Sequence, residues 1–148
     1  MLMKNYIVTG ATGYIGSMLI KYIQEKDKEA NITALVRDRS KAENMLPHGV
    51  EIAEFDLCDK QCAKRLSEAG FRADYIIHCA SVTASAQMLS HPVEVIESIV
   101  NTTQNILEFA RRYPVKSVSG RYSIPRASPP CSVTKPKRRV TTRCASNT

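Results

Sequence analysis

The stretch Thr9-Gly10-Ala11-Thr12-Gly13-Tyr14-Ile15-Gly16 decides the fold, because it lies between a short apolar run and a helical pattern. Gly10 suits a tight turn at the end of a strand, since glycine adopts backbone angles that strain other residues. Gly13 allows the backbone to approach a diphosphate, and Gly16 allows the following helix to pack closely against the sheet. The unpaired N–H groups at the start of that helix would then face the phosphates.

The spacing of these glycines leaves two interpretations. It is G-x-x-G-x-x-G, whereas the common dinucleotide fingerprint is G-x-G-x-x-G. Three glycines alone could serve only a tight turn. Their position between a strand and a helix, at the start of an alternating chain, favours a phosphate-binding loop.

Strand and helix patterns alternate over the first 117 residues. Apolar runs predict strands at 6–8, 32–36, 50–55, 74–80 and 115–118. Helical patterns lie between them at 14–28, 40–46, 59–69 and 92–113. Buried strands that each precede a helix form a parallel sheet with helices on both faces. The sequence therefore predicts an α/β fold in residues 1–117, a doubly wound parallel sheet of the Rossmann type that is truncated after about strand five.

Apolar spacing also predicts which face of each long helix packs on the sheet. In the first helix the predicted buried residues are Ile15, Met18, Leu19, Tyr22 and Ile23. In the long helix at 92–113 they are Ile96, Ile99, Val100, Ile106, Leu107 and Ala110. The polar segment from Ser81 to His91 is predicted to be a loop, which could border a substrate or only connect two elements.

The composition is that of a globular chain. Of its 148 residues, 43% are hydrophobic, and no apolar stretch approaches the ~20 residues that a membrane-spanning helix needs. The N-terminus lacks the pattern of a signal peptide, so we expect a cytoplasmic protein with no membrane partner. The five cysteines lack a second pair at metal-ligand spacing, which favours reduced thiols over a metal site.

The net charge of +7 comes entirely from the last 32 residues, since all 14 acidic residues and 14 of the 21 basic residues precede Ser117. The segment 118–148 is rich in Ser, Pro and Arg and has no strand or helix period, which predicts a disordered basic tail. A shifted reading frame would produce such a sequence. Alternatively, a genuine tail could bind nucleic acid through the basic run from Lys135 to Arg139. Nucleic acid is the less favoured partner, because no aromatic residues alternate with these charges.

The glycine stretch resembles a segment of the extended short-chain dehydrogenase/reductase family, the NAD(P)-dependent nucleotide-sugar epimerases and dehydratases. Residues 6–16 match its Thr-Gly-x-x-Gly-x-x-Gly segment, and the likeness extends over about residues 4–118. Asp56-Leu57 resembles the pair that contacts adenine in the family. The stretch 78–81, His-Cys-Ala-Ser, resembles a His-x-Ala-Ala stretch beside the cofactor. Residues 101–107 resemble an Asn-x-x-Gly-Thr-x-Asn-Leu-Leu helix without its Gly and Thr.

The resemblance implies a set of residues that hold an NAD(P) cofactor. They are Gly10, Thr12, Gly13, Tyr14, Ile15, Gly16, Arg37, Asp38, Asp56, Leu57, Cys79, Ala80, Ser81 and Asn101. The resemblance also implies a nucleotide-sugar substrate, which the segment 81–91 could border. The intact family forms homodimers through the helix at 92–113 and the helix after strand five, so half of that interface would be missing here. His78 is predicted to be a structural residue at a strand end.

The end of the second strand determines the choice between NAD and NADP. An acidic residue there binds the ribose 2′-hydroxyl of NAD, whereas an arginine pairs with the 2′-phosphate of NADP. Arg37 follows Gly16 by 21 residues, which favours NADP. Asp38 would serve NAD if the strand ended one residue later, so both cofactors stay open.

The catalytic Tyr-x-x-x-Lys pair of the family, on the helix after strand five, has no counterpart at that place. The tyrosine acts there as general acid or base, and the lysine lowers its pKa. The pattern occurs only from Tyr22 to Lys26, on the first helix, where Tyr22 is predicted to pack against the sheet. After Tyr122, Pro125 would break a helix and Arg126 replaces the lysine. No residue is therefore assigned to catalysis, and the chain is predicted to be catalytically incomplete.

Overall fold

The computed structural model of the chain describes residues 3–81, 85–120 and 124–125. The strands are β1 Asn5–Thr9, β2 Asn31–Val36, β3 Glu51–Glu54, β4 Tyr75–His78, β5 Ser117–Gly120 and β6 Ile124–Pro125. The helices are α1 Tyr14–Lys26, α2 Arg39–Met45, α3 Cys62–Glu68, α4 Ser85–Ser90 and α5 Pro92–Arg112. Strands and helices alternate from β1 to β4, as predicted.

The strands of the described residues form one sheet in the order β3-β2-β1-β4-β5-β6. The first five strands are parallel, with β1 between β2 and β4, and β6 is antiparallel to β5. The chain adds strands on one side of β1 and then on the other, which is the doubly wound arrangement. The predicted fold class is therefore confirmed.

The sheet continues beyond the predicted boundary at residue 117. β5 extends to Gly120, and its Val118 pairs with Ile76 of β4 and packs against the core. The short strand β6 also falls within the predicted tail. The remainder of that tail, whose disorder was predicted, lies outside the described residues.

Two apolar clusters lie on opposite faces of the sheet. One includes Ile7 of β1 and Phe109 of α5, both fully buried. The other includes Val8 of β1 and Ile20 of α1, which are also fully buried. Neighbouring residues of a strand point to opposite faces, so Ile7 and Val8 anchor different clusters. Helices packed on both faces hold the carboxyl ends of the strands in place.

The buried face of α1 differs from the predicted one. The helix buries Gly16, Ile20 and Ile23. Three of the residues predicted to be buried are more than half exposed, namely Ile15, Met18 and Tyr22. A Cβ at Gly16 would collide with the carbonyl oxygen of Gly10, so the helix approaches the loop through this glycine. Ile23 is buried as predicted. The prediction was wrong for Ile15, Met18 and Tyr22 because it followed the large apolar side chains rather than the position that allows the closest approach.

The buried face of α5 also differs in part. Ile106 and Ala110 are buried as predicted, but Ile96 is 61% exposed and Val100 is 53% exposed. The other buried residues are Val95, Thr102, Asn105 and Phe109. The helix therefore has two apolar faces, one buried and one exposed. The sequence analysis treated them as a single buried face.

The segment from Ser81 to His91 contains a helix where the sequence predicted a polar loop. α4 spans Ser85–Ser90, and the Ser90 hydroxyl donates to the carbonyl oxygen of Ala86 at 2.9 Å. The loop prediction was wrong because a helix of six residues is too short to show an apolar period. Throughout the described ranges, no helix combines the length and the apolar character that crossing a membrane requires.

Candidate functional site

The glycine loop makes a turn that only glycine accommodates. Gly10 has a φ of +64°, a conformation that strains other residues. A Cβ on Gly10 would lie 2.6 Å from the backbone nitrogen of Ala80 and 2.7 Å from the carbonyl carbon of Cys79. The N–H of Gly13 closes the turn by donating to the carbonyl oxygen of Gly10 at 2.9 Å. The loop backbone therefore packs directly on the peptide that follows β4.

α1 begins without a capping side chain. Its N-cap is Gly13, and its first turn contains no acidic residue. The N–H of Ser17 donates to the carbonyl oxygen of Gly13 at 3.0 Å, so the helical ladder starts there. The N–H groups of residues 14–16 precede this ladder and are oriented along the helix axis. Such a helix start attracts an anion through both its free donors and its dipole.

Hydrogen bonds to Thr9 hold the end of β4 against the loop. The N–H of Cys79 donates to the Thr9 carbonyl oxygen at 3.2 Å, and the N–H of Ala80 donates to Thr9 Oγ1 at 3.2 Å. Thr9 Oγ1 also lies 2.7 Å from Nδ1 of His78. Burial lowers the pKa of His78 below its usual value, which favours the neutral ring.

The end of β2 places charged side chains at the rim. Arg37 and Asp38 follow the buried strand directly and are exposed. The carboxylate of Asp38 caps α2 by accepting the backbone N–H of Lys41 at 2.9 Å. The side chains of Arg37 and Lys41 thus add two positive charges beside one carboxylate that is already hydrogen-bonded.

The end of β3 is tied to α5 by a buried amide. Asn105 Nδ2 donates to the carbonyl oxygens of Leu57 at 2.9 Å and Asp59 at 2.8 Å. Asp56 accepts the N–H of Cys58 at 2.9 Å, which closes the turn after the strand. Leu57 is itself buried. Asn105 belongs to the stretch 101–107 that resembles the family, and it holds the end of β3 against α5. The sequence did not indicate this structural role.

These strand ends enclose a cavity of about 700 Å³. Ten of the residues predicted to hold a cofactor line it: Gly10, Thr12, Gly13, Arg37, Asp38, Asp56, Leu57, Cys79, Ala80 and Ser81. Four predicted residues are not among the lining residues. Tyr14 and Ile15 are 83% and 65% exposed, Gly16 is buried beneath the loop, and Asn101 lies beside the lining residue Thr102 on α5.

Several lining residues were not among those predicted to hold a cofactor, although Gln87 lies in the segment 81–91 that was expected to border a substrate. They are Leu35, Val36, Lys41, Phe55, Cys58, Gln87, Ser98, Ile99 and Thr102. Ser98 and Thr102 share one face of α5 at helical spacing, and this pairing is a signal that could have found them. Lys41 follows Asp38 by one helical turn, so recognising Asp38 as an N-cap would have indicated it.

Tyr22 and Lys26 lie outside this cavity. Lys26 Nζ is 5.8 Å from the centre of the Tyr22 ring, which is 57% exposed on α1. Tyr22 does not pack against the sheet, contrary to the prediction. Neither residue is among those that line the cavity.

The free cysteines of the described region include one inert thiol and two at the cavity. Cys62 is fully buried, and burial raises its pKa to about 11. Cys58 and Cys79 line the cavity. In residues 3–81, 85–120 and 124–125, no three His, Cys, Asp or Glu side chains cluster where they could bind a metal ion.

The sheet order, the glycine loop and the cavity beyond the carboxyl ends of the strands define a Rossmann-type α/β domain. A family model described as the NAD dependent epimerase/dehydratase family matches residues 6–123. The chain belongs to this family, as its resemblance predicted.

Individual relatives match over only part of their length. A probable dTDP-glucose 4,6-dehydratase of Sinorhizobium fredii is 30% identical over 111 residues, which are 72% of this chain and 31% of that protein. A solved UDP-glucose 4-epimerase of Thermus thermophilus in complex with NAD has a TM-score of 0.66 and 25% identity, covering 77% of this chain and 36% of that one. The UDP-glucose 4-epimerase of Thermotoga maritima has a TM-score of 0.68 and 22% identity over 78% and 37%, which supports the fold. The chain spans about a third of the length of the relatives it matches.

Proposed function

We propose that this chain is the NAD(P)-binding portion of a nucleotide-sugar epimerase or dehydratase. The glycine loop carries the proposal, because its backbone packs on the Cys79–Ala80 peptide while the adjoining helix start leaves its N–H groups free. The Thermus thermophilus epimerase in complex with NAD supports the cofactor. The dehydratase from Sinorhizobium fredii supports a nucleotide-sugar substrate for the whole protein.

The cavity fits a dinucleotide in size and in the chemistry of its walls. Its volume of about 700 Å³ lies within the range of about 300–1,000 Å³ that is usual for small-molecule sites. The amides at the start of α1 suit the diphosphate, and a Cβ at Gly10 or Gly16 would displace the loop that positions them, because it would collide with neighbouring backbone atoms. Asp56 and Leu57 would border the adenine, and 79–81 would line the cofactor beyond β4. In the whole protein, a dinucleotide held by these residues would supply a nicotinamide for reversible hydride transfer with a sugar carbon.

Within this proposal, the rim at the end of β2 favours NADP. Arg37 and Lys41 both line the cavity there, and a guanidinium suits the geometry of a phosphate. The Asp38 carboxylate is engaged by the N–H of Lys41, which reduces its capacity to accept from a ribose hydroxyl. The positive charges of Arg37 and Lys41, beside the hydrogen-bonded carboxylate of Asp38, support binding of a 2′-phosphate.

The chain is proposed to bind the cofactor without completing the reaction. Its one Tyr-x-x-x-Lys pattern, from Tyr22 to Lys26, lies on an exposed face of α1 and lines no part of the cavity. Gln87 of α4 lines the cavity, and we propose that this side borders the sugar. The exposed apolar side chains of α5, including Ile96 and Val100, support a homodimer for the whole family member.

Isothermal titration calorimetry with NADP⁺ and NAD⁺ tests the binding. We expect one site for either dinucleotide and about tenfold tighter binding of NADP⁺, because a hydrogen bond to a charged group contributes about 1.5–3 kcal/mol. Absence of heat with both dinucleotides at millimolar concentration would overturn the proposal. Tighter binding of NAD⁺ would overturn only the cofactor preference.

A turnover assay tests the proposed catalytic incompleteness. The protein, saturated with NADP⁺ or NAD⁺, is incubated with UDP-glucose or dTDP-glucose, and the products are separated by chromatography. We expect no converted sugar and no reduced nicotinamide. Converted sugar would mean that a group outside the Tyr-x-x-x-Lys pattern acts as the acid or base.

A further inference from the structure

His78 lies at the end of β4, directly behind the glycine loop, and the proposed function gives it no part. Its Nδ1 is 2.7 Å from the hydroxyl oxygen of Thr9, the residue that precedes Gly10. We propose that the neutral His78 ring is a positioning residue for the dinucleotide, because it fixes the Thr9 hydroxyl that joins the glycine loop to the end of β4. This inference rests on the proposed binding of a dinucleotide.

The hydrogen bonds around Thr9 determine where the protons lie. The backbone N–H of Ala80 can only donate, so Thr9 Oγ1 accepts this bond at 3.2 Å. Among the described residues, Nδ1 of His78 is the acceptor within reach of the Thr9 hydroxyl proton, so the network is complete when Nδ1 is unprotonated. Every buried side-chain nitrogen and oxygen in the described part of the chain has a partner in this arrangement. The neutral ring therefore carries its proton on Nε2.

A protonated His78 could not take part in the same network. Its Nδ1–H would point at Thr9 Oγ1, which would then have to accept two hydrogen bonds. The hydroxyl proton would lose its acceptor in a residue that has no exposed surface. A buried donor without a partner is unfavourable, so the Thr9 side chain would rotate and its bond to Ala80 would weaken.

The groups around the ring are mostly uncharged. On the neighbouring strands His78 faces Thr9 of β1 and Gly120 of β5, and the next residue, Cys79, has a thiol pKa raised by burial. The titratable residues of α5, the helix that contacts β4, are Glu94, Glu97, Glu108, Arg111 and Arg112. Of these, the two acids of the first turns are exposed, and Glu108 is paired with the two arginines. Burial is the cause that lowers the pKa of His78.

The hydrogen bonds of Thr9 affect the cavity because they join two parts of its lining, the glycine loop and the end of β4. Thr9 immediately precedes Gly10, and a Cβ on Gly10 would already meet the Ala80 nitrogen at 2.6 Å. Both Gly10 and Ala80 line the cavity. A weaker Thr9–Ala80 bond therefore separates the loop from the end of β4 and loosens the amides that would hold a diphosphate. Because the pKa of His78 lies below its usual value of 6.5, affinity should be constant above that pH and fall as the pH passes below the lowered pKa.

Calorimetry with NAD⁺ at about pH 7.5 and about pH 5 tests the proposal. No group of NAD⁺ titrates in this range, whereas the 2′-phosphate of NADP⁺ does. The variants are His78→Asn, whose amide oxygen can accept from Thr9 at either pH, and His78→Leu, which has no acceptor. The matched control is His91→Asn, since exposed His91 has a similar Nδ1 contact of 2.7 Å to the Ser90 hydroxyl but lies away from the loop.

The expected results differ for each protein. Wild type and His91→Asn should bind NAD⁺ several-fold more weakly at the lower pH, because binding favours the network that protonation of His78 breaks. His78→Asn should bind like wild type at the higher pH and lose the pH dependence. His78→Leu should bind about fivefold more weakly than wild type at the higher pH, again without pH dependence.

Three outcomes would overturn the inference while the proposed function stands. They are a wild type that binds equally well at both pH values, a His78→Asn variant that keeps the wild-type pH dependence, and a His78→Leu variant with wild-type affinity. A wild type that binds no NAD⁺ at either pH overturns the proposed function itself. If His78→Leu does not fold, the pH profile of His78→Asn alone decides.

Discussion

The two ends of the parallel sheet are held together in different ways. At the amino ends, the Asp74 carboxylate accepts the N–H of Asn5 at 2.9 Å and pairs with Lys116 at 3.0 Å, which joins three strands. At the carboxyl ends, the Gly10 backbone packs against Ala80 and the start of α1 leaves donors free. Polar groups at the amino end are thus used within the protein. At the carboxyl end, the backbone N–H groups at the start of α1 remain available to a ligand.

This difference separates stability from binding. Substitutions at the carboxyl ends should change dinucleotide affinity, with or without a change in the free energy of unfolding. Substitutions at the amino ends should change the free energy of unfolding alone. Gly10→Ala, Arg37→Ala and Asp74→Asn test this separation, and Asn105→Ala tests how the end of β3 is held against α5.

Gly10→Ala should have the largest effect. The new Cβ would strain a positive φ and overlap the Ala80 backbone, so the free energy of unfolding should fall by about 3 kcal/mol. Affinity for NADP⁺ should fall by at least about 100-fold. Urea unfolding and calorimetry measure the two quantities.

Gly70→Ala is the matched control for this glycine. Gly70 has a φ of +75°, but a Cβ there would have no neighbouring atom within 4 Å, so only the backbone strain of about 1 kcal/mol remains. Its affinity for NADP⁺ should equal that of wild type. Equal losses of affinity in the two variants would contradict the direct contact between the loop and the end of β4.

Asn105→Ala should have the next largest effect. It leaves the carbonyl oxygens of Leu57 and Asp59 without their donor, which should lower the free energy of unfolding by about 2 kcal/mol. The exposed neighbour Gln104, changed to alanine, should cost less than about 0.5 kcal/mol. Urea unfolding measures the free energy of unfolding of both variants. Similar losses of that free energy would show that the Asn105 amide does not hold the end of β3 against α5.

Arg37→Ala should change affinity but not stability. Removal of the guanidinium should weaken NADP⁺ binding by about tenfold and leave NAD⁺ binding unchanged, because only NADP⁺ carries the 2′-phosphate. The control is Arg39→Ala, since Arg39 is paired with Glu43 at 2.8 Å and does not line the cavity. An equal loss for both dinucleotides would exclude Arg37 as a 2′-phosphate ligand.

Asp74→Asn should have the smallest effect. The N–H of Asn5 and then Lys116 hold the pKa of the Asp74 carboxyl below its usual value of 3.8. This group therefore contributes stability above that pH, and the contribution is lost as the pH falls through the lowered pKa. The variant should lose about 1 kcal/mol at neutral pH.

Urea unfolding of Asp74→Asn across the acid range checks the sign of this effect. The difference from wild type should shrink as the pH falls through the lowered pKa, and affinity for NADP⁺ at neutral pH should not change. A loss of affinity would break the separation between the two ends of the sheet.

Much of the cavity could be predicted because its parts follow directly after strands. Arg37 and Asp56 lie just beyond predicted strands and Cys79 lies near the end of one, and parallel strands bring such residues to one edge of the sheet. The glycine loop could be placed for the same reason. Lys41 was missed because Asp38 was not recognised as the N-cap of α2.

The helix faces could not be predicted in the same way. Asn101 was chosen from the resemblance, yet Ser98 and Thr102 of α5 line the cavity. On α1, Ile15 and Tyr22 matched an apolar period but are exposed. A helical period gives the spacing of apolar residues along a helix. Which of them are buried depends on the rotation of the helix against the sheet, and the residue that permits the closest contact determines that rotation.

The amino-acid sequence by itself determined the class of a doubly wound sheet and the position of its glycine loop. Both follow from local properties, namely the apolar runs of the strands and the backbone freedom of glycine. Only the tertiary structure decided which side chains surround the cavity and that Thr9, His78 and Ala80 form one network. These contacts join residues about 70 positions apart, so they depend on the pairing of β1 with β4 rather than on any local pattern.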